Sequence, residues 1–257
     1  MNYKNKTVMI TGAVRNTGLE IAKAFAAAGA RIIINGRKQE DTERISTMLK
    51  EEYSVETIEA TMDISKPTEV NSFFDMLETR QINLDVLVNN AVIQATGYSF
   101  IETPYELLKN TFDVNTLGLF LCSQRAAAIM SNQDGGSIIN IGSNTAVRPI
   151  KNRCAYIASK GAVDALTRAM AIDLAEHKIR VNSVIAGYIH SSRWEELDTE
   201  TIDRRRRNVP TGTESYGKDI ANAVMFLASE FAGNITGTSL TVDGGCSTQL
   251  IPADCDK

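Results

Sequence analysis

Residues 7–20 read TVMITGAVRNTGLE, and no other part of the chain is as informative about its architecture. The apolar and β-branched residues Thr7–Ile10 favour a buried strand, and the turn after them leads directly into an amphipathic stretch from Leu19. Gly12 and Gly18 lie in this turn. A strand-to-helix turn of this kind leaves backbone N–H groups at the helix N-terminus, where the helix dipole favours an anion. The stretch therefore predicts the first strand–turn–helix unit of an α/β fold.

The same alternation of strand and helix continues to the end of the chain. Runs such as Val86–Val88 are apolar without a polar alternation, which is typical of strands covered by helices on both faces. This order predicts a Rossmann-type, doubly wound parallel sheet of about seven strands. The predicted strands are Thr7–Ile10, Arg31–Asn35, Ser54–Ala60, Asp85–Asn89, Ser137–Ile141, Arg180–Ile185 and Ser239–Val242. The predicted helices are Leu19–Ala28, Asp41–Tyr53, Pro67–Arg80, Tyr105–Met130, Ala155–Glu176 and Asp219–Ser229.

Nothing in the sequence divides the chain into separate domains. Its 257 residues are 43% hydrophobic and 23% charged, as in an ordinary globular protein with a sizeable core. No linker, low-complexity tract or repeat interrupts the pattern. We predict one domain over residues 1–257, with a helical excursion at about 187–216. This excursion is expected to form a lid at the carboxyl edge of the sheet, where open α/β folds bind ligands.

The charge balance and the cysteines exclude several classes of protein. There are 27 Lys and Arg residues against 31 Asp and Glu, so no cationic field for nucleic acid or anionic lipid is expected. No signal-peptide core follows Met1, and no run of apolar residues is long enough to span a membrane. Cys122, Cys154, Cys246 and Cys255 form no CxxC pair, so we predict no metal site. We expect a cytoplasmic protein with reduced thiols that binds neither nucleic acid nor membrane.

A second motif indicates proton transfer. Tyr156 and Lys160 are four residues apart in a predicted helix and therefore lie on one face of it. A free tyrosine, with a pKa of about 10, is poorly suited to be a base at neutral pH. A cationic lysine beside it favours the phenolate and lowers the pKa. Such a pair suits the donation of a proton to a carbonyl oxygen, although an amphipathic helix face without chemistry would show the same spacing.

The motifs, taken in order, resemble the short-chain dehydrogenase/reductase family from residue 7 to about residue 245. Ser143 stands thirteen residues before Tyr156, and Asn115 matches the family's helix asparagine. The remaining matches are the glycine motif at Thr11, Gly12, Asn16 and Gly18, the Asn-Asn-Ala motif at Asn89–Ala91, and the segments Asn182–Gly187 and Val242–Gly245.

The resemblance implies an oxidoreductase that interconverts a carbonyl and a secondary alcohol by hydride transfer, with Tyr156 as acid/base. It assigns Lys160 to the nicotinamide ribose, Ser143 to the substrate oxygen and Asn115 to a water between Lys160 and solvent. It also implies a homo-oligomer, a tetramer or a dimer, that pairs the long helices. The expected cofactor contacts are Tyr156 and Lys160 together with Gly12, Arg15, Asn16, Thr17, Gly18, Arg37, Asp63, Ile64, Asn90, Ala91, Gly187, Ile189 and Ser191.

The residues after the second strand favour NADP(H) as the cofactor. Gly36 stands where NAD-binding folds carry an acidic residue for the ribose hydroxyl, Arg37 follows it, and Arg15 lies in the facing glycine turn. Two guanidinium groups without a carboxylate suit a 2′-phosphate. The alternative is that Arg37 and Lys38 belong to a solvated loop with no ligand.

The chain departs from the family pattern at three positions. Asn16 replaces a glycine, and asparagine is the side chain that best tolerates a positive φ. Val92 replaces another glycine, and its β-branched side chain would resist a positive φ. Ala186 replaces a proline, which is expected to loosen the start of the excursion.

The substrate is expected to contact the segments that follow the strand ends. A polar and partly aromatic lining favours a small hydroxylated or anionic molecule over a steroid. The alternatives are a 3-oxoacyl-carrier-protein reductase, an NAD-linked sugar or polyol dehydrogenase, and a non-catalytic dinucleotide-sensing protein. The Arg204–Arg207 run is predicted to be a solvated, internally paired helix. The expected lining residues are Gln94, Arg148, Arg153, Tyr188, His190 and Trp194.

Overall fold

A parallel sheet of seven strands forms the centre of the protein in a computed structural model that describes residues 1–251. Residues 252–257, Cys255 among them, lie outside the described part. The order across the sheet is β3-β2-β1-β4-β5-β6-β7, which confirms the predicted doubly wound α/β class. The strands are β1 (Thr7–Ile10), β2 (Arg31–Gly36), β3 (Thr57–Thr61), β4 (Val86–Asn89), β5 (Gly136–Ser143), β6 (Ile179–Ala186) and β7 (Ser239–Val242).

The segments between the strands are helical. The predicted helix Tyr105–Met130 is interrupted, because a wider π-helical turn at Asp113–Gly118 separates two α-helices. No helix within residues 1–251 combines the length and apolar character that a membrane crossing needs. The helices are α1 (Asn16–Ala27), α2 (Gln39–Tyr53), α3 (Pro67–Thr79), α4 (Tyr105–Phe112), α5 (Leu119–Ser131), α6 (Cys154–Asp173), α7 (Thr199–Arg207) and α8 (Gly217–Ala228).

The sheet separates two apolar cores. Successive strand residues point to opposite faces, so Ile10 and Phe25 belong to the core beneath α1 and α8, whereas Met9 and Phe74 belong to the core beneath α3 and α5. All four side chains are fully buried. Burial of each such side chain contributes about 1.5–3 kcal/mol. Each continuous apolar run of the sequence therefore contributes side chains to the cores on both faces of the sheet.

One predicted strand begins later than expected. The sequence favours a strand from Ser54, but β3 begins at Thr57. Ser54 ends α2 in the left-handed conformation, with a φ of 55°, and its N–H donates to the carbonyl oxygen of Lys50. The end of α2 therefore takes up Ser54, which the sequence pattern had assigned to the strand.

The predicted excursion between β6 and α8 is present and contains the helix α7. Its two ends meet, because Ile189 pairs with Ser215 in a single parallel bridge. The His190 N–H donates to the Ser215 carbonyl oxygen at 2.8 Å, and the Ser215 N–H donates to the Tyr188 carbonyl oxygen at 2.9 Å. We call residues 187–216 the lid. These contacts hold the two ends of the lid together at the carboxyl edge of β6.

Candidate active site

The glycine turn after β1 has a backbone suited to a phosphate. Gly12 and Asn16 both adopt the left-handed conformation, with φ of 64° and 47°. A Cβ on Gly18 would overlap the carbonyl oxygen of Gly12, so only glycine fits there. The turn ends at Arg15, after which α1 begins without a side-chain cap. The first N–H groups of α1 are therefore available to an anion.

Thr11 joins this turn to the segment after β4. Its Oγ1 accepts hydrogen bonds from the backbone N–H groups of Asn90 at 2.9 Å and Ala91 at 3.0 Å. In return, Asn90 Nδ2 donates to the carbonyl oxygens of Thr11 at 3.0 Å and Gly12 at 3.1 Å. Three of the predicted cofactor contacts, Gly12, Asn90 and Ala91, are thus held as one unit.

Asn35 is a supporting residue that the sequence analysis did not identify. Its buried side chain accepts from the Gly12 N–H at 3.1 Å and donates to the carbonyl oxygens of Ala60 at 2.8 Å and Met62 at 3.0 Å. Asn35 therefore ties the glycine turn to the end of β3. The available signal was a polar residue directly after the apolar run Ile32–Ile34.

Arg15 lies in the glycine turn and Arg37 follows β2; these are the two residues that the sequence analysis assigned to a 2′-phosphate. Arg15 and Arg37 are both exposed. Gly36 is buried, and a Cβ on it would lie 2.8 Å from Val14 Cγ1 and 3.0 Å from Thr42 Cγ2. Gly36 thus has a packing reason to be glycine. The absence of a carboxylate at this position consequently supports NADP(H) less strongly than the two guanidinium groups do.

Asp63 and Ile64 follow β3 at the same edge, and Ile64 is buried. Asp63 Oδ1 accepts from the Ser65 N–H at 3.0 Å and from the Ser65 hydroxyl at 2.7 Å. Burial acts to raise the pKa of Asp63, but these hydrogen bonds and the charges of Arg37 and Lys66 outweigh it and hold the pKa below its usual range. Asp63 is therefore ionised at neutral pH and lies within the field of Arg37.

The predicted catalytic residues Ser143, Tyr156 and Lys160 meet at the carboxyl end of β5. Ser143 is the last residue of β5, and the other two lie in the first turns of α6. The Ser143 side chain acts to lower the pKa of Tyr156, and Ser143 Oγ lies 2.9 Å from Thr145 Oγ1. Lys160 Nζ lies 5.8 Å from the centroid of the Tyr156 ring and donates to the Ile141 carbonyl oxygen at 2.7 Å. The structure thus brings the serine, the phenol and the ammonium group together.

The protonation of the pair differs from the sequence-based prediction. Burial raises the pKa of Tyr156, although the Ser143 side chain and the charge of Arg153 oppose it. Burial also lowers the pKa of Lys160 to about 8. The pKa of Tyr156 is thus raised here, whereas the sequence predicted a lowered one, because desolvation of the phenolate outweighs the groups that favour it. The phenol of Tyr156 therefore carries its proton at neutral pH.

Asn115 lies in the π-helical turn between α4 and α5. Its Oδ1 accepts from the Ile93 N–H at 2.7 Å, and its Nδ2 donates to the Ile93 carbonyl oxygen at 2.9 Å and to Ser159 Oγ at 3.0 Å. The side chain thus holds the segment after β4 against α6. Both polar atoms of the side chain are therefore engaged within the protein.

The three departures from the family pattern are accommodated. Asn16 takes the left-handed conformation expected of it. Val92 does not adopt a positive φ, and its side chain is 40% exposed. Ala186 pairs with Val242 in the ladder, and the next N–H, that of Gly187, donates to the Val242 carbonyl oxygen at 3.1 Å. The start of the lid is therefore held by the ladder, contrary to the looser start expected from the missing proline.

The segment after β6 reaches back to the glycine turn. The Ser192 N–H donates to Asn16 Oδ1 at 3.4 Å. This long hydrogen bond links the lid to the turn that would hold a pyrophosphate. The predicted cofactor contacts in this segment are Gly187, Ile189 and Ser191, all partly exposed.

An open groove of about 460 Å³ lies beside the first turn of α6. Phe100, Ile150 and Ile157 contribute apolar walls, and Lys151 and Arg153 also line it. We call it the α6 groove. Of the residues predicted to line the substrate site, Arg153 is the one that lines this groove.

The aromatic residues predicted to touch substrate pack on one another instead. Trp194 is buried, with ring centroids 6.4 Å from Tyr188 and 5.8 Å from His190. The Arg205 guanidinium lies 5.3 Å from the Trp194 ring centroid. These contacts hold α7 against the first part of the lid. Gln94 and Arg148 are exposed on the loops after β4 and β5.

Glu214 is a buried carboxylate that the sequence analysis missed. It accepts from Arg206 Nε at 2.8 Å and Nη2 at 3.0 Å, and His190 Nδ1 lies 3.2 Å from it. The Arg206 hydrogen bonds are the main reason that its pKa is lowered to about 2. Arg206, in the Arg204–Arg207 run, therefore pairs with a carboxylate outside its own helix. The predicted pairing within the helix is wrong for this residue. Residues eight apart in irregular segments leave no periodic signal in a sequence.

Comparison with known proteins identifies the family. The model of the family described as enoyl-(acyl carrier protein) reductase matches residues 12–247. The chain belongs to the short-chain dehydrogenase/reductase family. A short-chain dehydrogenase/reductase is an oxidoreductase that uses a nicotinamide dinucleotide.

Three relatives illustrate the range of this short-chain dehydrogenase/reductase family. A 3α-hydroxysteroid dehydrogenase of Mediterraneibacter gnavus is 35% identical over 95% of this chain and 98% of its own length. The structure of a Burkholderia cenocepacia gluconate 5-dehydrogenase in complex with NADP and tartrate is 30% identical, with a TM-score of 0.92 over 97% and 98% of the two chains. A Brucella melitensis 3-ketoacyl-(acyl-carrier-protein) reductase complexed with NADH is also 30% identical, with a TM-score of 0.88 over 96% and 100%.

The residues present fit a nicotinamide dinucleotide. The glycine turn admits a phosphate because Gly18 packs directly on Gly12, and α1 begins without a side-chain cap. Arg15 and Arg37 provide positive charge at the outer end of the site. Within residues 1–251, no three His, Cys, Asp or Glu side chains cluster as ligands for a metal ion.

Proposed function

We propose that this protein is an NADP(H)-dependent reductase that interconverts a carbonyl and a secondary alcohol on a small molecule, with Tyr156 as acid/base. The arrangement of Ser143, Tyr156 and Lys160 carries the proposal, because all three lie at the carboxyl end of β5 and the Lys160 ammonium group lies 5.8 Å from the centroid of the Tyr156 ring. Residues 1–257 would act as one catalytic unit with the lid over its cleft.

In the reducing direction the protein's own residues handle the proton. The Ser143 hydroxyl donates a hydrogen bond to the carbonyl oxygen and orients it. Tyr156 transfers its phenolic proton to this oxygen as negative charge develops there. The bound dinucleotide supplies the hydride that the carbonyl carbon receives. Cationic Lys160 then stabilises the phenolate until a proton returns from solvent.

The preference for NADP(H) rests on Arg15 and Arg37, because planar guanidinium groups match a phosphate in charge and geometry. The second candidate is an NAD-linked sugar or polyol dehydrogenase. One observation favours it, namely that Gly36 is explained by packing against Val14 and Thr42. The further cofactor contacts proposed are Gly12, Asn16, Thr17, Gly18, Asp63, Ile64, Asn90, Ala91, Tyr156, Lys160, Gly187, Ile189 and Ser191.

A 3-oxoacyl-carrier-protein reductase is a third candidate. The apolar walls of the α6 groove suit an acyl chain, and a relative of 30% identity carries such a name. A dinucleotide-sensing protein without turnover would have no need to bring the Ser143 hydroxyl and the Lys160 ammonium group to Tyr156.

We also propose a homo-oligomer, a dimer or a tetramer. Leu117, Phe120 and Ile172 are 57%, 42% and 78% exposed on the outer faces of the π-helical turn, α5 and α6. Large apolar side chains on adjacent helices are suited to pairing with a second copy. The cytoplasmic location stays a prediction from the sequence.

The phenol is tested by Tyr156→Phe. We expect turnover of carbonyl compounds to fall by about 10²–10⁴-fold, as is usual when a general acid is removed, and the Kd for NADPH to stay within about threefold, a change of under 1 kcal/mol. Tyr105→Phe is the matched control, because Tyr105 is 73% exposed on α4. Activity retained in Tyr156→Phe would remove Tyr156 from its proposed role.

A further inference from the structure

The chain turns back onto the lid after the last strand. β7 ends at Val242, and we call the residues that follow it, 243–249, the strap. The strap packs against two parts of the lid, its start at Gly187 and the stretch after α7 from Asn208 to Thr211. The strap thus contacts the lid both before and after α7.

Asp243 gives the strap its shape. Its side chain is buried, and its Oδ1 accepts from the Gly245 N–H at 3.0 Å. Its Oδ2 accepts from the Ser247 N–H at 2.8 Å and also from the Ser247 hydroxyl group. An aspartate that accepts from backbone N–H groups shortly after it stabilises a turn. The carboxylate therefore folds the first half of the strap and sets the direction in which the second half leaves β7.

Asp243 also contacts the start of the lid. A Cβ on Gly187 would lie 2.5 Å from Asp243 Cβ, so Gly187 packs directly on Asp243. Gly187 and Ile189 are two of the proposed cofactor contacts. A few residues further on, the Ser192 N–H donates to Asn16 Oδ1 in the glycine turn. A shift of the lid start against Asp243 would therefore move these residues relative to the glycine turn.

The other contact of the strap is with the stretch after α7. The Thr211 N–H donates to the Gly244 carbonyl oxygen at 3.1 Å. Gln249 Nε2 donates to the Asn208 carbonyl oxygen at 2.6 Å. A Cβ on Gly244 would overlap Thr211 Oγ1 and Val209 Cγ1, so the strap fits closely against the lid here. This part of the lid can move away from β7 only if both hydrogen bonds break.

We propose that the strap holds the lid over the cofactor cleft, and that Asp243 and Gln249 are positioning residues for the dinucleotide. Asp243 fixes the start of the lid, and Gln249 fixes the stretch after α7. Both act through the lid, without a contact of their own to the dinucleotide. Loss of either should free the lid and weaken dinucleotide binding. The effect on binding rests on the proposed NADP(H)-dependent function, whereas the effect on the lid does not.

Gln249→Ala in the full-length protein is the first test, because Gln249 is partly exposed and follows the last strand. Trypsin should cut the lid at Arg204–Arg207 about fivefold faster, and the Kd for NADPH, from nicotinamide fluorescence, should rise about fivefold, as for one lost hydrogen bond. Gln249→Glu has the same shape without the amide donor and should match Gln249→Ala. Asp243→Asn should increase both effects, because the amide keeps one acceptor oxygen and loses the other. Saturating NADPH should slow the cleavage of wild type.

Gln133→Ala is the matched control. Gln133 Nε2 also donates to backbone carbonyl groups, those of Leu84 at 2.9 Å and Gly135 at 3.1 Å, but these residues precede β4 and β5 at the amino edge of the sheet. This variant should lower the temperature of thermal unfolding without changing lid cleavage or the Kd for NADPH.

The outcomes separate the strap from the proposed function. Strap variants that behave like Gln133→Ala would overturn the inference, since the strap would then support the fold alone. Faster cleavage with an unchanged Kd for NADPH would also overturn it, because the lid would not cover the cofactor cleft. If Asp243→Asn fails to fold, the two Gln249 variants decide. A wild type that does not bind NADPH would reject the NADP(H)-dependent function, and faster cleavage of the strap variants would still support the hold of the strap on the lid.

Discussion

At the scale of single residues, burial shifts the pKa values of Tyr156 and Lys160 in opposite directions. It favours the neutral phenol of Tyr156 and the neutral amine of Lys160. Lys160 donates to a backbone carbonyl group, that of Ile141, and so no negative charge offsets its desolvation. The ammonium group that should stabilise the phenolate is therefore itself close to losing its proton near neutral pH.

This balance predicts the alkaline limit of the reduction. The pKa of Lys160 is lowered to about 8, so as pH rises through about 8 the ammonium group loses its proton and its charge. The phenolate left by proton transfer then loses its stabilisation, and kcat/KM for reduction should fall. The measurement is kcat/KM against pH, with thermal unfolding followed at each pH to show that the fold persists. A profile that stays level well above this pH would show that Lys160 does not control the rate.

The cofactor preference is decided by individual side chains as well. Arg37→Ala should weaken NADPH binding by about tenfold, equivalent to about 1.4 kcal/mol, because one charge-assisted contact to a phosphate is lost. NADH binding should be unchanged. Lys38→Ala is the control, as Lys38 is an exposed cation next in the chain. Titration by nicotinamide fluorescence measures both affinities, and equal loss for the two dinucleotides would exclude recognition of the 2′-phosphate by Arg37.

A substitution at Gly36 is unsuited to testing the cofactor preference. Introducing Asp at Gly36 would mimic NAD-binding folds, but its Cβ would crowd Val14 and Thr42. Loss of binding in that variant would report a packing defect. Removing Arg37 changes charge at an exposed position and leaves the core untouched.

At the scale of elements, Glu214 holds α7 to the C-terminal part of the lid. This carboxylate is buried, and both of its oxygens accept from Arg206 on α7. Removal of one member of such a charged pair costs about 2 kcal/mol. The cost falls on the lid alone, because β6 and α8 are held by their own ladder and core contacts.

Glu214→Gln should therefore open the lid without unfolding the protein. We expect trypsin to cut at Arg204–Arg207 up to about thirtyfold faster, which corresponds to about 2 kcal/mol of lost protection. In wild type, Glu214 has a pKa lowered to about 2 from 4.5, so its contribution is complete above pH 4.5 and is lost as pH falls towards about 2. Glu200→Gln on the exposed face of α7 is the control. Equal cleavage of the two variants would contradict this role.

At the scale of the whole molecule, the sequence predicted what depends on local pattern. The apolar runs located seven strands, and the spacing of Tyr156 and Lys160 placed both on one face of α6. Ser54 was misassigned because a left-handed helix end has no compositional mark. Family motifs supplied the candidate catalytic residues, whereas Asn35 and Glu214 act through partners outside their own elements and match no motif. The α6 groove was missed because it forms only when two loops meet.

The sheet order has a consequence for how the chain is made. β1 emerges first from the ribosome but lies in the middle of the sheet, where Ile10 pairs with Ile34 on one side and Val88 on the other. Until β5 is synthesised, β4 is an open edge of apolar residues, from Val86 to Val88. Such edges template pairing with other chains, and parallel pairings close slowly because their crossovers are long. A nascent or refolding chain is therefore most prone to aggregate when only its first half is available.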